Sequence, residues 1–284
     1  TSGVLHVYRS RRQFEQDAFG WDVRRALGIT WTELEGEALR TREPDLDPAF
    51  GFAVHVEEAG HCRDPGAYMQ ALDAYASKRG ARRVLGRATG FRIEQGQLKA
   101  VLTDAGEIVC DAAVIAAGAR SAALARAAGD RVQLTSERGY HATMADVQMQ
   151  ATVNTPMMFS EFKVIATQME GGLRVAGQVE FAAFEDAPDW RRAEIMRDIA
   201  CALFPGLPRD LPARQIRYWL GRRPSTPDGK ACIGYASATR DIVHAYGHGH
   251  IGLGCSARTG RLVAQLLTGL PPEIDLVPFS PQRF

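Results

Sequence analysis

The sequence predicts a mixed α/β chain with α+β character, on three observations. Strand-like and helix-like runs both occur, without the strict alternation of a wholly parallel fold. The run Ala112-Ala-Val-Ile-Ala-Ala117 is apolar throughout, as for a strand covered on both faces. Between a strand-like run at 241–246 and a helical one at 256–268 stands the glycine-rich stretch Gly247-His-Gly-His-Ile-Gly252.

From the N-terminus, residues 3–8 alternate as a strand. Ser10 and Gln13 have capping-box spacing and open an amphipathic helix carrying Phe14, Ala18, Trp21 and Leu27 as far as Gly28. Thr32 and Glu35 repeat that spacing, which predicts a short helix stopping before Pro44. Asp64 followed by Pro65 is a helix start, and Tyr68, Leu72, Tyr75 and Ala76 share one face before Gly80. Short strands at 83–85, 90–93, 98–102 and 107–110, with turns at Gly96 and Gly106, predict an antiparallel meander. The apolar run then leads into a helix at 122–128. Strands return over 136–180, with Gly171-Gly172 as a hairpin turn. A helix over 189–203 turns Trp190, Ile195, Ile199 and Leu203 inward, and a strand at 217–220 enters a turn-rich loop.

Composition narrows the function classes. With 284 residues, 45% hydrophobic and 24% charged, the chain can bury a core without disulfides or structural metal. Lys and Arg total 34 against 33 Asp and Glu, so no net field recommends a nucleic acid as partner. The five cysteines show no C-x-x-C pairing, which points to a reducing compartment and a cytoplasmic setting. No apolar run reaches the roughly 18 residues of a membrane helix. Peripheral attachment at an inner membrane has no segment arguing for it. The first strand opens in mid-pattern, so the chain is expected to begin partway into a longer protein.

Three constellations could carry chemistry. The 247–252 stretch spells G-x-G-x-x-G, yet too little chain follows for the rest of a dinucleotide-binding unit. It is either a loop that presents N–H groups and a helix end to a cofactor, or a glycine turn between packed elements. Arg222-Arg223-Pro224 offers a bidentate fork for a carboxylate, or a solvated basic turn. The end of the apolar run, Ala116-Ala117-Gly118, admits close backbone approach by a ligand, or simply close packing. No H-E-x-x-H and no G-x-S-x-G occurs, so neither a zinc site nor a hydrolase elbow is expected.

Together the motifs resemble one family over essentially the whole chain. They run in the order Gly60-His-Cys-Arg-Asp-Pro65, Val114-Ile-Ala-Ala-Gly-Ala-Arg-Ser121, Glu137-Arg-Gly-Tyr140, Trp219-x-Gly-x-Arg-Pro-x-Thr-Pro-Asp-Gly229 and Gly247-His-Gly249. This pattern is similar to the FAD-dependent D-amino-acid dehydrogenases, within the wider amine and D-amino-acid oxidase family. The resemblance implies a discontinuous, Rossmann-like FAD-binding domain (62–130 and 228–284) and an antiparallel-sheet substrate domain (1–61 and 131–227). It implies that Gly247, His248, Gly249, His250, Ile251 and Gly252 pass along the flavin ring and ribityl chain. Ala116, Ala117 and Gly118 would line the cofactor, with Ala88 on its adenosine side. Arg223 would grip the substrate carboxylate and set the Cα–H over flavin N5 for hydride transfer, with Tyr140 as a second contact. His61, where plain D-amino-acid dehydrogenases place an acid, resembles dehydrogenases of cyclic imino acids such as D-hydroxyproline. Electrons would pass to a quinone or carrier protein. Glycine- or sarcosine-type oxidation by oxygen, and an inactive flavoprotein-like subunit, are the alternatives. Family members open with a βαβ unit bearing the true fingerprint. On that alignment roughly the first hundred residues, with the pyrophosphate site, are missing: either the sequence is a fragment, or another chain or a cleaved segment supplies the unit, or FAD binding is lost.

Overall fold

The computed structural model describes residues 2–147 and 151–284; part of the expected 136–180 strand region, at 148–150, lies outside them. The chain forms two compact units. Unit 1 comprises Thr1–Ala81, Gly139–Val179 and Ala187–Gly221, and unit 2 comprises Arg82–Arg138, Glu180–Asp186 and Arg222–Phe284. The segment 62–81, assigned from sequence to the cofactor domain, falls in unit 1.

The chain opens with β1 (Val4–Tyr8), α1 (Arg11–Gln16), α2 (Ala18–Ala26), β2 (Thr32–Glu35), α3 (Gly36–Arg42), β3 (Phe52–Val56) and α4 (Pro65–Lys78). Next come β4 (Ala88–Glu94), β5 (Gln97–Thr103), β6 (Gly106–Val109), β7 (Ala113–Ile115) and α5 (Ser121–Ala127). A strand-rich stretch follows with β8 (Thr135–Met144), β9 (Met157–Phe159), β10 (Val164–Met169) and β11 (Gly172–Phe181). The remainder is α6 (Arg191–Leu203), β12 (Ile216–Ser225), β13 (Cys232–Tyr235), β14 (Ile242–Tyr246) and α7 (Gly252–Leu267).

Unit 1 is organised on an eight-stranded sheet in the order β12-β8-β11-β10-β9-β1-β3-β2. The β10–β11 hairpin turns at Glu170-Gly171, one residue before the expected Gly171-Gly172, because Gly172 pairs with Met169. Thr32–Glu35 departs from the sequence expectation. It is a strand, not a helix start, because Thr32 to Glu35 register antiparallel against His55 to Phe52. That ladder satisfies the backbone groups a cap would otherwise serve. The first helix also divides at Asp17, and Ser10 Oγ caps only its first part by accepting from Gln13 N.

Side chains alternate across the strands. On one face Ala142 and Met144 of β8 and Leu173 and Val175 of β11 join Met196, Ala200 and Leu203 of α6 in the main core. Helix α6 meets it through Ala193, Met196, Ala200 and Leu203, whereas Trp190 and Ile195, expected inward, are 44% and 45% exposed. Helix α4 is capped by Asp64 as expected, yet none of its residues is buried, and its Tyr68–Leu72–Tyr75 face is open.

Unit 2 carries two three-stranded sheets, β13-β14-β7 and the meander β4-β5-β6. Residues 83–85, expected as a strand, are irregular, and Leu85 is 86% exposed. Strand β7 pairs parallel with β14 (Ile242↔Ala113, Val243↔Val114, His244↔Ile115) and sits at the edge of its sheet. The apolar run is therefore shorter than expected and uncovered on one side, with Val114 40% exposed. The unit's polar centre is buried: His244 Nε2 lies 2.9 Å from Asp130 Oδ2, and its Nδ1 lies 3.0 Å from Tyr246 Oη. Among the described residues no helix is long and apolar enough to cross a membrane, and all five cysteines are free thiols.

Candidate cofactor and substrate site

Parallel pairing of β7 and β14 sends both strands out at the same end of their sheet, and each then runs into glycine-rich backbone. Beyond β7, Ala116 and Ala117 lead to Gly118, whose φ of 57° is left-handed and where an added Cβ would meet nothing within 4 Å. Beyond β14, Gly247 and Gly249 have φ of 89° and 53°. A Cβ at Gly247 would stand 3.1 Å from Thr226 Cγ2, so the loop requires glycine both for conformation and for space. In open sheets with parallel strands, the carboxyl ends are where ligands bind.

Helix α7 begins at Gly252, four residues earlier than the sequence periodicity indicated. Its N-cap position is Ile251, which offers no side-chain cap, so the first-turn N–H groups keep their capacity for an outside acceptor. Ile251 and Leu253 beside them are 60% and 40% exposed, and Ser121 Oγ at the start of α5 is buried without a partner. Apolar contact, N–H donors on a positive helix end and unfilled backbone space are what a flavin needs. These residues fit one.

The Arg223 segment is stitched to this loop. Gly249 N–H donates to Pro224 O at 2.9 Å, and Ser225 bridges antiparallel to His248. Arg222 and Arg223 thus lie in strand β12, not in a free turn. Glu137 organises their surroundings: it accepts from Ser225 Oγ at 2.9 Å and lies 3.9 Å from His250 Nδ1. Burial lowers the Arg223 pKa from its ordinary value, and the Glu137 carboxylate opposes that shift. Burial and then Arg223 lower that of His250, against the pull of Glu137. His248 turns away from the loop, its Nε2 2.9 Å from Thr259 Oγ1 on α7. Ala88 stands at the start of β4 in the same unit.

Tyr140 and His61 belong to unit 1. Tyr140 is 1% exposed on the α6 side of β8, where its hydroxyl accepts from Asp189 N–H at 3.1 Å and its ring meets Trp190 edge-on. That placement gives it a packing role, and its half-buried neighbour on the other face is His141. His61 is exposed and lines a cavity of about 560 Å³ with Arg63, Asn154 and Gln168. Glu137 and Ser225 were not singled out from sequence as site residues. Ser225 carried a signal in its two-residue spacing from Arg223, which puts both on one strand face, whereas Glu137 carried none. Among the described residues no cluster of three His, Cys, Asp or Glu side chains could hold a metal ion.

Comparison with known proteins places the chain. Residues 1–266 match the family described as FAD dependent oxidoreductase. A D-amino-acid oxidase of Bradyrhizobium diazoefficiens is 52% identical over 283 residues, covering all of this chain and 66% of that protein. A D-amino acid dehydrogenase of Rhizobium rhizogenes is 28% identical, over 99% of this chain and 67% of its own length. The chain thus spans about two thirds of the length of these relatives. In fold it is similar to glycine oxidase from Geobacillus kaustophilus, with a TM-score of 0.85 at 22% identity over 100% of this chain and 75% of that one. Two glycine turns at one end of a parallel strand pair, and a match running through nearly the whole sequence, lead to one conclusion: the chain belongs to the DAO family of FAD-dependent oxidoreductases.

Proposed function

We propose that this chain is the substrate-handling and flavin-ring portion of an enzyme that oxidatively deaminates a D-amino acid or a cyclic imino acid. The observation that carries the reading is the attachment of the Arg223 strand to the 247–252 loop, through the Gly249–Pro224 bond and the Ser225–His248 bridge. A carboxylate-binding guanidinium and a cofactor-facing loop then move as one body, and fixed geometry is where proximity catalysis originates. The flavin, when bound, supplies the hydride acceptor. Arg223 forks the substrate carboxylate. Glu137 keeps that guanidinium charged and oriented. Residues 116–118 and 247–252, with Ala88, hold the cofactor, and the first turn of α7 offers N–H groups to negative charge. His61 and Tyr140 remain proposed as contributors from unit 1, Tyr140 through packing.

Electrons pass to a quinone or carrier in this reading. Direct use of oxygen is the second reading, because the 52% identical relative is named an oxidase. Dye-coupled turnover without peroxide supports the first and peroxide formation the second, in the full-length enzyme. We also propose that further chain, in the same polypeptide or a partner, covers the edge of β7 and completes the cofactor site.

In that full-length enzyme, Arg223→Ala raises KM about 100-fold or more while flavin absorbance per protein stays constant, since a charged fork is lost and no cofactor contact. Loss of flavin with unchanged KM overturns the assignment.

A further inference from the structure

Unit 1 holds a second cationic constellation that the flavin reading does not use. The sheet face opposite the α6 core carries His141 and Thr143 on β8, the strand between β11 and β12. Arg174 of β11 and Arg217 of β12 flank them. All four line a cavity of about 850 Å³ whose residues belong entirely to unit 1.

Four features distinguish it from an ordinary basic surface. Many arginines of the chain sit against a carboxylate, Arg9 on Glu161 and Arg92 on Glu107 among them. Among the described residues Arg174 and Arg217 form no ion pair within 4.0 Å, and each repels the other. Room is made for one of them: a Cβ on Gly171 would meet Arg217 Nη2 at 2.5 Å. Gly171 has no left-handed φ, and the contact falls on the movable end of the Arg217 side chain, so a side chain there would shift the guanidinium. Arg174 Nε donates to Thr143 Oγ1 at 3.4 Å, which leaves the hydroxyl proton of the buried Thr143 available. Finally, the His141 ring stacks on Trp219 at 5.0 Å and 15°, giving the cavity a flat apolar wall. Burial first, then Arg174 and Arg217, push the His141 pKa down to about 4, so the wall is uncharged at neutral pH.

The other charged groups at the cavity are Arg63, Asp64 and Glu170. Asp64 attracts Arg174, but its Oδ1 already caps α4 by accepting from Ala67 N at 2.9 Å. Three guanidinium groups against two carboxylates leave an excess of positive charge around two arginines that, among the described residues, form no ion pair within 4.0 Å.

We propose that this cavity is a binding site for a small organic carboxylate. Arg174 and Arg217 fork its oxygens, Thr143 donates its hydroxyl, and the His141–Trp219 stack packs on its carbon body. Two flat guanidinium forks select a planar carboxylate. The site stands on residues other than Arg223 and does not depend on the flavin reading. Its carboxylate can be that of a free acid or the side chain of an acidic amino acid.

Isothermal titration with succinate tests this on the chain itself. Succinate binds the unaltered chain, and Arg174→Gln together with Arg217→Gln weakens it by about 100-fold, tenfold or more for each fork. Gly171→Ala keeps both charges but displaces the Arg217 guanidinium, and it weakens binding about tenfold with the thermal transition unmoved. That second variant guards against misfolding of the first. D-glutamate and D-alanine separate the sources: sensitivity of D-glutamate and not D-alanine to these variants assigns a side-chain carboxylate, and sensitivity of succinate alone assigns a free acid. No succinate binding, or equal binding by chain and variants, overturns the site. Loss of succinate binding only with Arg223→Gln overturns it too, and leaves the Arg223 assignment standing.

Discussion

Unit 1 and unit 2 solve the burial problem differently. Unit 1 encloses its apolar residues: Met144, Met157, Leu173, Met196 and Phe204 are fully buried between one face of a broad sheet and helix α6. Unit 2 distributes a smaller core over two short sheets and leaves Val114, Leu253 and Ile251 substantially exposed around its glycine turns. Its centre is polar, with the Asp130 carboxylate receiving Ser237, Gln282 and His244. A region with a closed apolar core is held by its own packing, whereas the glycine turns and the helix start at Ile251 leave apolar side chains exposed.

The sharpest way to break that comparison is in the unit 1 core. Met196→Ala removes a fully buried side chain and is expected to cost about 2–5 kcal/mol in urea unfolding. A cost under about 1 kcal/mol would show that this core yields as readily as the unit 2 surface.

Next in size is Gly247→Val, which forces a β-branched residue to a φ of 89° and drives its Cβ toward Thr226 Cγ2. A penalty of about 1–3 kcal/mol is expected, together with loss of flavin absorbance from the full-length protein. Full flavin content in this variant would remove the 247–252 loop from the cofactor site.

Acid sharpens the comparison through two unit 1 histidines. Burial is the largest cause that brings His6 and His141 down to about 4, so both are neutral in the fold while the unfolded chain protonates near 6.5. Their contribution is complete above about 6.5 and is lost as pH falls toward 4, on the order of 1–2 kcal/mol for the pair after screening by solvent. Unfolding curves at pH 7 and pH 5 measure it, and His6→Asn with His141→Asn flattens the difference. An undiminished pH dependence in that double variant assigns it to other groups.

Smallest is Val114→Ala on the open edge strand, within about 0.5 kcal/mol for the chain alone. A loss above about 1.5 kcal/mol would mean that β7 is covered on both faces after all.

Local chemistry was well written in the sequence. Ser10 and Asp64 are N-caps, the β10–β11 hairpin turns within one residue of the expected Gly171-Gly172, and the meander of β4, β5 and β6 folds around Gly96 and Gly106. Each depends on residues within a few positions of one another. The Thr32 spacing misled because the same letters that cap a helix also form an edge strand once β3 offers a ladder. The burial of Tyr140 was not legible, because alternation says only that neighbours face opposite ways, not which face meets the core. Motifs picked out Arg223 and the 247–252 loop, which stay proposed as site residues, whereas Glu137 gave no local signal, since its partner Ser225 lies 88 positions away.

The sequence by itself determined the family, the glycine turns and the helix starts at Ser10 and Asp64, because these reside in contiguous residues whose backbone preferences act locally. Only the tertiary structure decided which face of β8 is core, that α7 begins at Gly252, and that Arg174 and Arg217 flank one strand with no ion pair among the described residues. Those outcomes depend on strand order and register, which bring distant residues together through burial that no local pattern encodes.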